Sequence, residues 1–413
     1  MKADQICLND PDFFLAGDYH AVLRELRQRD PVHWCQGKDG WDFWSLTRYE
    51  DCRMVYRQPE RFCSARGIVL PAEPRVAGPN PVDYGNGLML ISTDPPRHNR
   101  VRKVVSNAFT PRAIGLREER FVAIADELID EVAPRGQCDL VVDLAAQMPT
   151  AVICEMMGVP RPDWKYMIRL GNMSVGGTDP EYQVEGSMRA TQRQALDEIF
   201  AYFGRLIDER RGKGGTDLVS MLANGEVDSE RLSDQEALFN CFLLLNGGLE
   251  TTRNAISGGI LELMHHPGDC TDLRADPTLM PAAVEEVLRW TSPITHMMRT
   301  AVTDTEIRGR RIGNGQKVVM WNISANRDEE VFPEPYRFDI RRTPNDHLAF
   351  GYGEHFCLGA SLARLELNVM LQQLLRRLPD LELAGEVQRL RSHIVAGIKH
   401  MPVRFTPTSR AAA

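Results

Sequence analysis

The chain has 413 residues, of which 43% are hydrophobic and 26% charged, a composition too apolar for a disordered protein and ordinary for a globular one. Its 49 basic and 57 acidic residues leave a formal net charge of −8, which argues against nucleic acid as the main partner but allows a local basic patch. Nine cysteines without a Cys-x-x-Cys spacing argue against a disulfide framework or a structural zinc site, and suggest reduced thiols in a cytoplasm.

In chain order, Asp10 and Asp12 follow Met1 too closely for a signal peptide. Residues 32–47, with a turn at Lys38-Asp39-Gly40, predict a hairpin. The Pro- and Gly-rich stretch 68–87 reads as a long irregular loop, either a solvated connection or the cover of a binding site. In Asp94-Pro95-Pro96-Arg97-His98-Asn99-Arg100-Val101-Arg102, His98 and Arg102 stand at i, i+4 near a helix start. They are spaced either to grip an anionic group together or to form a solvated basic face. Apolar periodicity then predicts helices over 118–132 and 192–209.

The next predicted helix, 234–266, breaks its own rules. Leu243-Leu244-Leu245-Asn246-Gly247-Gly248-Leu249-Glu250-Thr251-Thr252 places two glycines, an acid and two threonines in an apolar helix. Each mid-helix glycine costs roughly 1 kcal/mol relative to alanine, so a local reason is expected. Leu243, Gly247 and Thr251 share one face, where a missing side chain leaves room for a ligand beside a hydroxyl. The other reading is a packing groove, with Thr251 bonded back to its own helix. Uninterrupted apolar runs such as 241–245 are short, well below the ~18 residues that would span a membrane.

A helix over 282–290 is opened by Pro281 and ends before Pro293, with Glu286 and Arg289 spaced to pair. A second hairpin is predicted over 305–321, and Phe332-Pro333-Glu334-Pro335-Tyr336-Arg337-Phe338 offers Arg337 as a third member of a buried ion network. The strongest signal is Phe350-Gly351-Tyr352-Gly353-Glu354-His355-Phe356-Cys357-Leu358-Gly359, which runs into a predicted helix over 361–377. Glycines let the backbone approach a flat cofactor, and a cysteine just ahead of a helix start is placed to be held as a thiolate. Such a thiolate can ligate haem iron. The alternatives at this block are a buried structural cysteine and, more weakly, a hydrolase nucleophile. A last hairpin is predicted over 393–405, before a frayed tail at 409–413.

Together these blocks, in this order, closely resemble the bacterial cytochrome P450 superfamily over residues 30–405. The resemblance implies a mainly α protein with small β-sheets, one domain spanning 1–413, and haem b buried between two long helices. It implies Cys357 as the proximal iron ligand, and His98, Arg102, Arg299 and His355 as contacts of the haem propionates. Glu250 and Thr251 match the acid–alcohol pair that delivers protons to the oxygen being reduced, and Glu286, Arg289 and Arg337 match the ion triad beneath the haem. Pocket residues implied in the same way are Leu90, Leu243, Asn246, Gly247, Ile294, Met297, Met298, Ile394 and Val395. Gly247 stands where the family more often has alanine. Asn246, preceding it, is polar where an apolar residue is usual, and reads either as a partner for a polar substrate group or as a donor to a helix carbonyl or water.

The chain has no G-x-G-x-x-G after a strand, so electrons are expected from NAD(P)H through a separate ferredoxin and ferredoxin reductase. Arg100, Lys103, Arg112 and Arg364 form a plausible docking patch near Cys357. A cytoplasmic monomer without a membrane span is expected, oxidising a lipophilic terpenoid, steroid or branched lipid. The alternatives are a tailoring oxidase of a polyketide or peptide, a peroxide-driven enzyme, an isomerase or dehydratase on the same scaffold, and a non-oxygenating haem-thiolate sensor.

Overall fold

The computed structural model describes residues 7–15, 18–37, 40–71 and 85–408. Lys38 and Asp39 of the first predicted turn, residues 72–84 of the predicted 68–87 loop, and the 409–413 tail lie outside the described residues.

Helices come in the order α1 (Pro11–Leu15), α2 (Tyr19–Arg29), α3 (Tyr49–Tyr56), α4 (Arg97–Ser106), α5 (Pro111–Gly115), α6 (Glu118–Val132) and α7 (Gln147–Met157). Next are α8 (Trp164–Val175), α9 (Met188–Arg210), α10 (Leu218–Asn224), α11 (Asp234–His265), α12 (Pro267–Ala275), α13 (Met280–Thr291), α14 (Asn322–Ala325) and α15 (Ala360–Arg377). The strands are short: β1 (Val32–Cys35), β2 (Phe43–Leu46), β3 (Phe62–Cys63), β4 (Gln137–Asp139), β5 (Glu226–Val227), β6 (Glu230–Arg231) and β7 (Met297–Ala301). After them come β8 (Thr305–Ile307), β9 (Arg310–Ile312), β10 (Lys317–Met320), β11 (Glu382–Leu383), β12 (Gln388–Arg389), β13 (Ile398–His400) and β14 (Pro402–Arg404). The protein is therefore mainly α, with small sheets.

The largest sheet has the order β1-β2-β10-β7-β3, so the N-terminal hairpin is completed by strands from the C-terminal half. Met297 lies opposite Met320, Met298 opposite Val319, and Arg299 opposite Val318. Because strand side chains alternate, Met297 and Arg299 share one face and Met298 takes the other.

The 32-residue helix α11 is the spine of the molecule. It starts at a capping box, in which Ser233 Oγ accepts the Glu236 N–H at 3.2 Å and the Glu236 carboxylate accepts the Ser233 N–H at 2.9 Å. Its apolar residues join those of α6, α7, α13 and α15 in one large core. The most membrane-like helical window, 140–157, ends in α7 and is 78% buried. It packs on α11, where Ile153 sits so close to Gly248 that an added Cβ would stand 2.7 Å from it.

Candidate active site

Cys357 ends a loop whose shape depends on glycine. Gly351 and Gly353 have φ of 68° and 71°, and a Cβ on Gly353 would lie 2.7 Å from the Tyr56 carbonyl oxygen. The Cys357 N–H closes the loop on Phe350 O at 2.9 Å, and α15 begins three residues later. Arg102, from α4, braces the same loop, donating to Glu354 O at 3.3 Å and Phe356 O at 2.7 Å. Burial pushes the Cys357 thiol up, opposed by the Gly359 N–H and by the charges of Arg102 and Arg364.

Beside this loop, α4, β7 and the loop itself bring four basic groups together. His98 is fully buried, its Nδ1 is 2.8 Å from Asn99 Oδ1, and its Nε2 has no hydrogen-bond partner among the described residues. Its ring centroid lies 4.1 Å from that of His355. Burial, then the charges of Arg299, His98 and Arg102, push His355 down to about 2, so it is neutral at ordinary pH. Arg299 is buried against Tyr56, with one bond to Met298 O at 2.8 Å. Among the described ion pairs, neither Arg102 nor Arg299 has a carboxylate partner. A buried cation without a counter-ion is costly, and an orphaned imidazole nitrogen adds to that cost. This cluster is therefore suited to an anionic group, such as the carboxylates of a flat cofactor seated on the Cys357 loop.

The adjacent glycines Gly247 and Gly248 of α11 have separate jobs. A Cβ on Gly247 would meet nothing within 4 Å, whereas Gly248 faces Ile153. Thr251 lies on the open Gly247 face and donates to Gly247 O at 2.9 Å. Glu250 points the other way, fully buried and paired with Arg253, which donates to Asn172 Oδ1 of α8 at 2.6 Å. Burial raises the Glu250 carboxyl against the pull of Arg253. Asn246 spans the α8–α11 contact, accepting from Ser174 Oγ and donating to Phe242 O at 3.0 Å.

The apolar pocket candidates divide in the same way. Leu243, Ile294, Met297 and Ile394 are half-buried, and Ile294 bridges the buried Val395. Leu90 is buried, its N–H held by Asn240 Oδ1 at 2.9 Å. Met298 departs from the expectation. By strand alternation it turns away from Arg299 and packs in the core with Leu70 and Trp321.

The ion network also needs a correction. Glu286 and Arg289 are completely buried and joined by two bonds of 2.7 Å. The third cation is Arg342, not Arg337. Arg342 Nε reaches Glu286 at 3.1 Å, joined by Asn345 Nδ2 at 3.2 Å and the Asp339 N–H at 2.9 Å. Arg337 supplies only its carbonyl, and its side chain, 62% exposed, pairs with Glu334. The physical reason is that Arg289 and Arg342 need inward-facing acceptors, so the backbone of Pro335 and Arg337 turns in and the Arg337 side chain turns out. The sequence reading also missed Arg253 and Asn172; the Glu250–Arg253 spacing of three was the available signal.

The cytochrome P450 family profile matches residues 181–392. A steroid C26-monooxygenase of Mycobacterium tuberculosis is 40% identical over 413 residues, covering 98% of each chain. The chain belongs to the cytochrome P450 family. Linalool 8-monooxygenase of Pseudomonas putida is 36% identical, covering 97% of this P450 and 98% of the relative. A Mycobacterium marinum P450 solved with pseudoionone superposes with a TM-score of 0.89 at 34% identity, covering 98% of this chain and 99% of that one. Family and relatives make this P450 a monooxygenase, which implies haem and electrons supplied from outside the chain.

Proposed function

We propose that this P450 holds haem b through the Cys357 thiolate and oxidises a neutral terpenoid- or steroid-like molecule. Electrons come from NAD(P)H through a ferredoxin and its reductase. The observation that carries the reading is the glycine-shaped Cys357 loop beside four basic groups that form no ion pair among the described residues. His98, Arg102, Arg299 and His355 would hold the two carboxylates of the haem. Bound haem supplies the oxidising chemistry, insertion of one oxygen atom of O2 into a substrate C–H bond.

The chain's own residues do the rest. Thr251, on the open face of α11, needs only a side-chain rotation to exchange its bond to Gly247 O for one to a group in that space. Glu250, whose carboxyl burial raises, is suited to take up a proton and pass it on. Leu243, Ile294, Met297 and Ile394 exclude water and favour an apolar substrate. The relatives named for linalool and steroids and the structure with pseudoionone support that class. Asn246 spends its amide on the Phe242 carbonyl and Ser174, which favours its reading as a donor to a helix carbonyl.

For the electron donor, Arg100 and Lys103 stand on α4, the helix from which Arg102 braces the loop, and Arg112 stands on α5; Arg100 pairs with Asp228, and Arg364, on α15, pairs with Glu285. Leu116, 82% exposed one turn beyond Arg112 at the end of α5, offers an apolar anchor beside it. Nine cysteines without a disulfide support a reducing cytoplasm, and we take the working unit to be a monomer.

A spectral titration tests the substrate class. Neutral terpenoids or steroids should shift the absorption spectrum of the haem-loaded enzyme and give oxygenated product with a surrogate ferredoxin system. Response only to polyketides or peptides would contradict the assignment. Binding without oxygen consumption would favour a sensor.

A further inference from the structure

Asn240 stands in the second turn of α11, on the same face as Leu243, Gly247 and Thr251. At 1.5 Å of rise per residue it lies roughly 10 Å along the helix from the open Gly247 position. The side chain is buried and its amide is fully used. Its Oδ1 accepts the Leu90 N–H at 2.9 Å, while Nδ2 donates to Leu88 O at 3.1 Å and to Glu236 O, one turn back, at 2.7 Å. Asn240 therefore brackets Met89, bonding the backbone on either side of it as a neighbouring strand would.

The segment it holds is knitted to itself. Ser92 Oγ donates to Gly85 O at 2.8 Å, Thr93 Oγ1 to Met89 O at 2.7 Å, and the Gly87 N–H to Ser92 O at 2.8 Å. Ser92 and Thr93 are buried, so their hydroxyls serve the shape of the segment. Packing requires glycine at 85, because a Cβ there would stand 2.6 Å from Met89 and 3.1 Å from Phe239 of α11. Just beyond, Arg97 at the start of α4 pairs with Glu236 in the first turn of α11. Residues 85–93 thus form a small knot that Asn240 joins to α11 by two hydrogen bonds, and Leu90 is carried on that knot. A buried peptide group that loses its partner keeps the full penalty of its desolvation, so the knot's place depends on this one amide.

We propose that Asn240 is a positioning residue for ligand recognition. By fixing residues 88–90 on α11 it sets where Leu90 stands at the far end of the open Gly247 face, and so which ligands that face accepts. It does this without offering a ligand any hydrogen bond of its own. The bracket stands on these contacts alone; its effect on ligands rests on the reading of Leu90 and the Gly247 face as pocket walls.

Two azoles test it by spectral titration of the haem-loaded enzyme. Neither depends on the natural substrate, so this proposal and the substrate assignment fail separately. Imidazole and 4-phenylimidazole both ligate haem iron through nitrogen, and the second adds a ring that extends into the pocket. Asn240→Leu keeps most of the side chain's bulk and removes its donor and acceptor together. It should weaken 4-phenylimidazole about tenfold and leave imidazole within about twofold of the wild type. In a Leu90→Ala background the same substitution should change little further, because no wall remains to be placed. Exchange of the Leu90 amide hydrogen should accelerate in Asn240→Leu, while α6 and α13 stay unchanged. Equal losses for both azoles, unaltered 4-phenylimidazole affinity, or a full tenfold loss without the Leu90 side chain would each overturn the positioning role. Unaltered Leu90 exchange would overturn the bracket itself. If Asn240→Leu fails to take up haem, the wild type serves: its Leu90 amide should exchange as slowly as the interior of α11. Exchange there as fast as in the exposed residues 214–216 overturns the bracket.

Discussion

At the scale of single residues, Glu286 accepts five hydrogen bonds without reaching solvent: two from Arg289 and one each from Arg342, Asn345 and the Asp339 N–H. Arg342→Ala leaves a buried carboxylate short of a cation, which costs about 3–5 kcal/mol. Arg337→Ala removes only a surface pair, and its effect should stay within about 0.5 kcal/mol. Apparent melting temperatures and haem content of the two variants check this contrast, and equal losses would restore Arg337 to the triad. Thr251→Ala should keep its substrate-induced spectral shift while product per NADPH oxidised falls and hydrogen peroxide rises. An unchanged ratio would leave Thr251 as a helix-packing residue. The Glu286–Arg289 pair and the Gly247–Thr251 face were both legible in the sequence, because helical spacing fixes them. Arg337 was not, since sequence shows that an arginine is near but not whether its side chain or its carbonyl turns inward.

At the scale of elements, α11 uses adjacent glycines for opposite ends. Gly248→Val would force a branched side chain into Ile153, and overpacking of this kind costs about 1–3 kcal/mol. Gly247→Ala enters open space and removes a helix-interior glycine, so it should raise stability by up to about 1 kcal/mol and shift ligand affinity in a spectral titration. A matching loss of stability in both variants would contradict this division. The expected helix over 118–132 coincides with α6, whose apolar stripe contrasts with a charged outer face. The 192–209 expectation starts four residues late, because Ser187 caps α9 and its first turn, Met188-Arg189-Ala190-Thr191, carries no apolar stripe. Helix α7 escaped the periodicity search because it is apolar nearly all round, and such a helix shows no stripe.

At the scale of the whole molecule, the site depends on contacts between distant parts of the chain. Tyr56 packs near Arg299 and Gly353, β2 lies beside β10, and Asp179 is fastened to Lys399. No local pattern encodes these pairings, so the sequence showed the chemistry of the Cys357 loop without showing how the pieces close around it, and the hairpin expected over 393–405 does not form, because β13 pairs with β12 and β14 with β11 and β4. The Asn240 bracket was wholly hidden for the same reason: its bonds to Leu90 and Leu88 join residues 150 and 152 apart in the chain. The central claim is that Cys357 supplies the thiolate that holds the haem. The most direct test is the absorption spectrum of the reduced carbon monoxide complex, in the wild type and in Cys357→His. The wild type should show the red-shifted Soret band of thiolate-ligated haem, and the variant should lose it even where haem remains bound. A fully haem-loaded wild type without that band, or a variant that keeps it, would contradict the account.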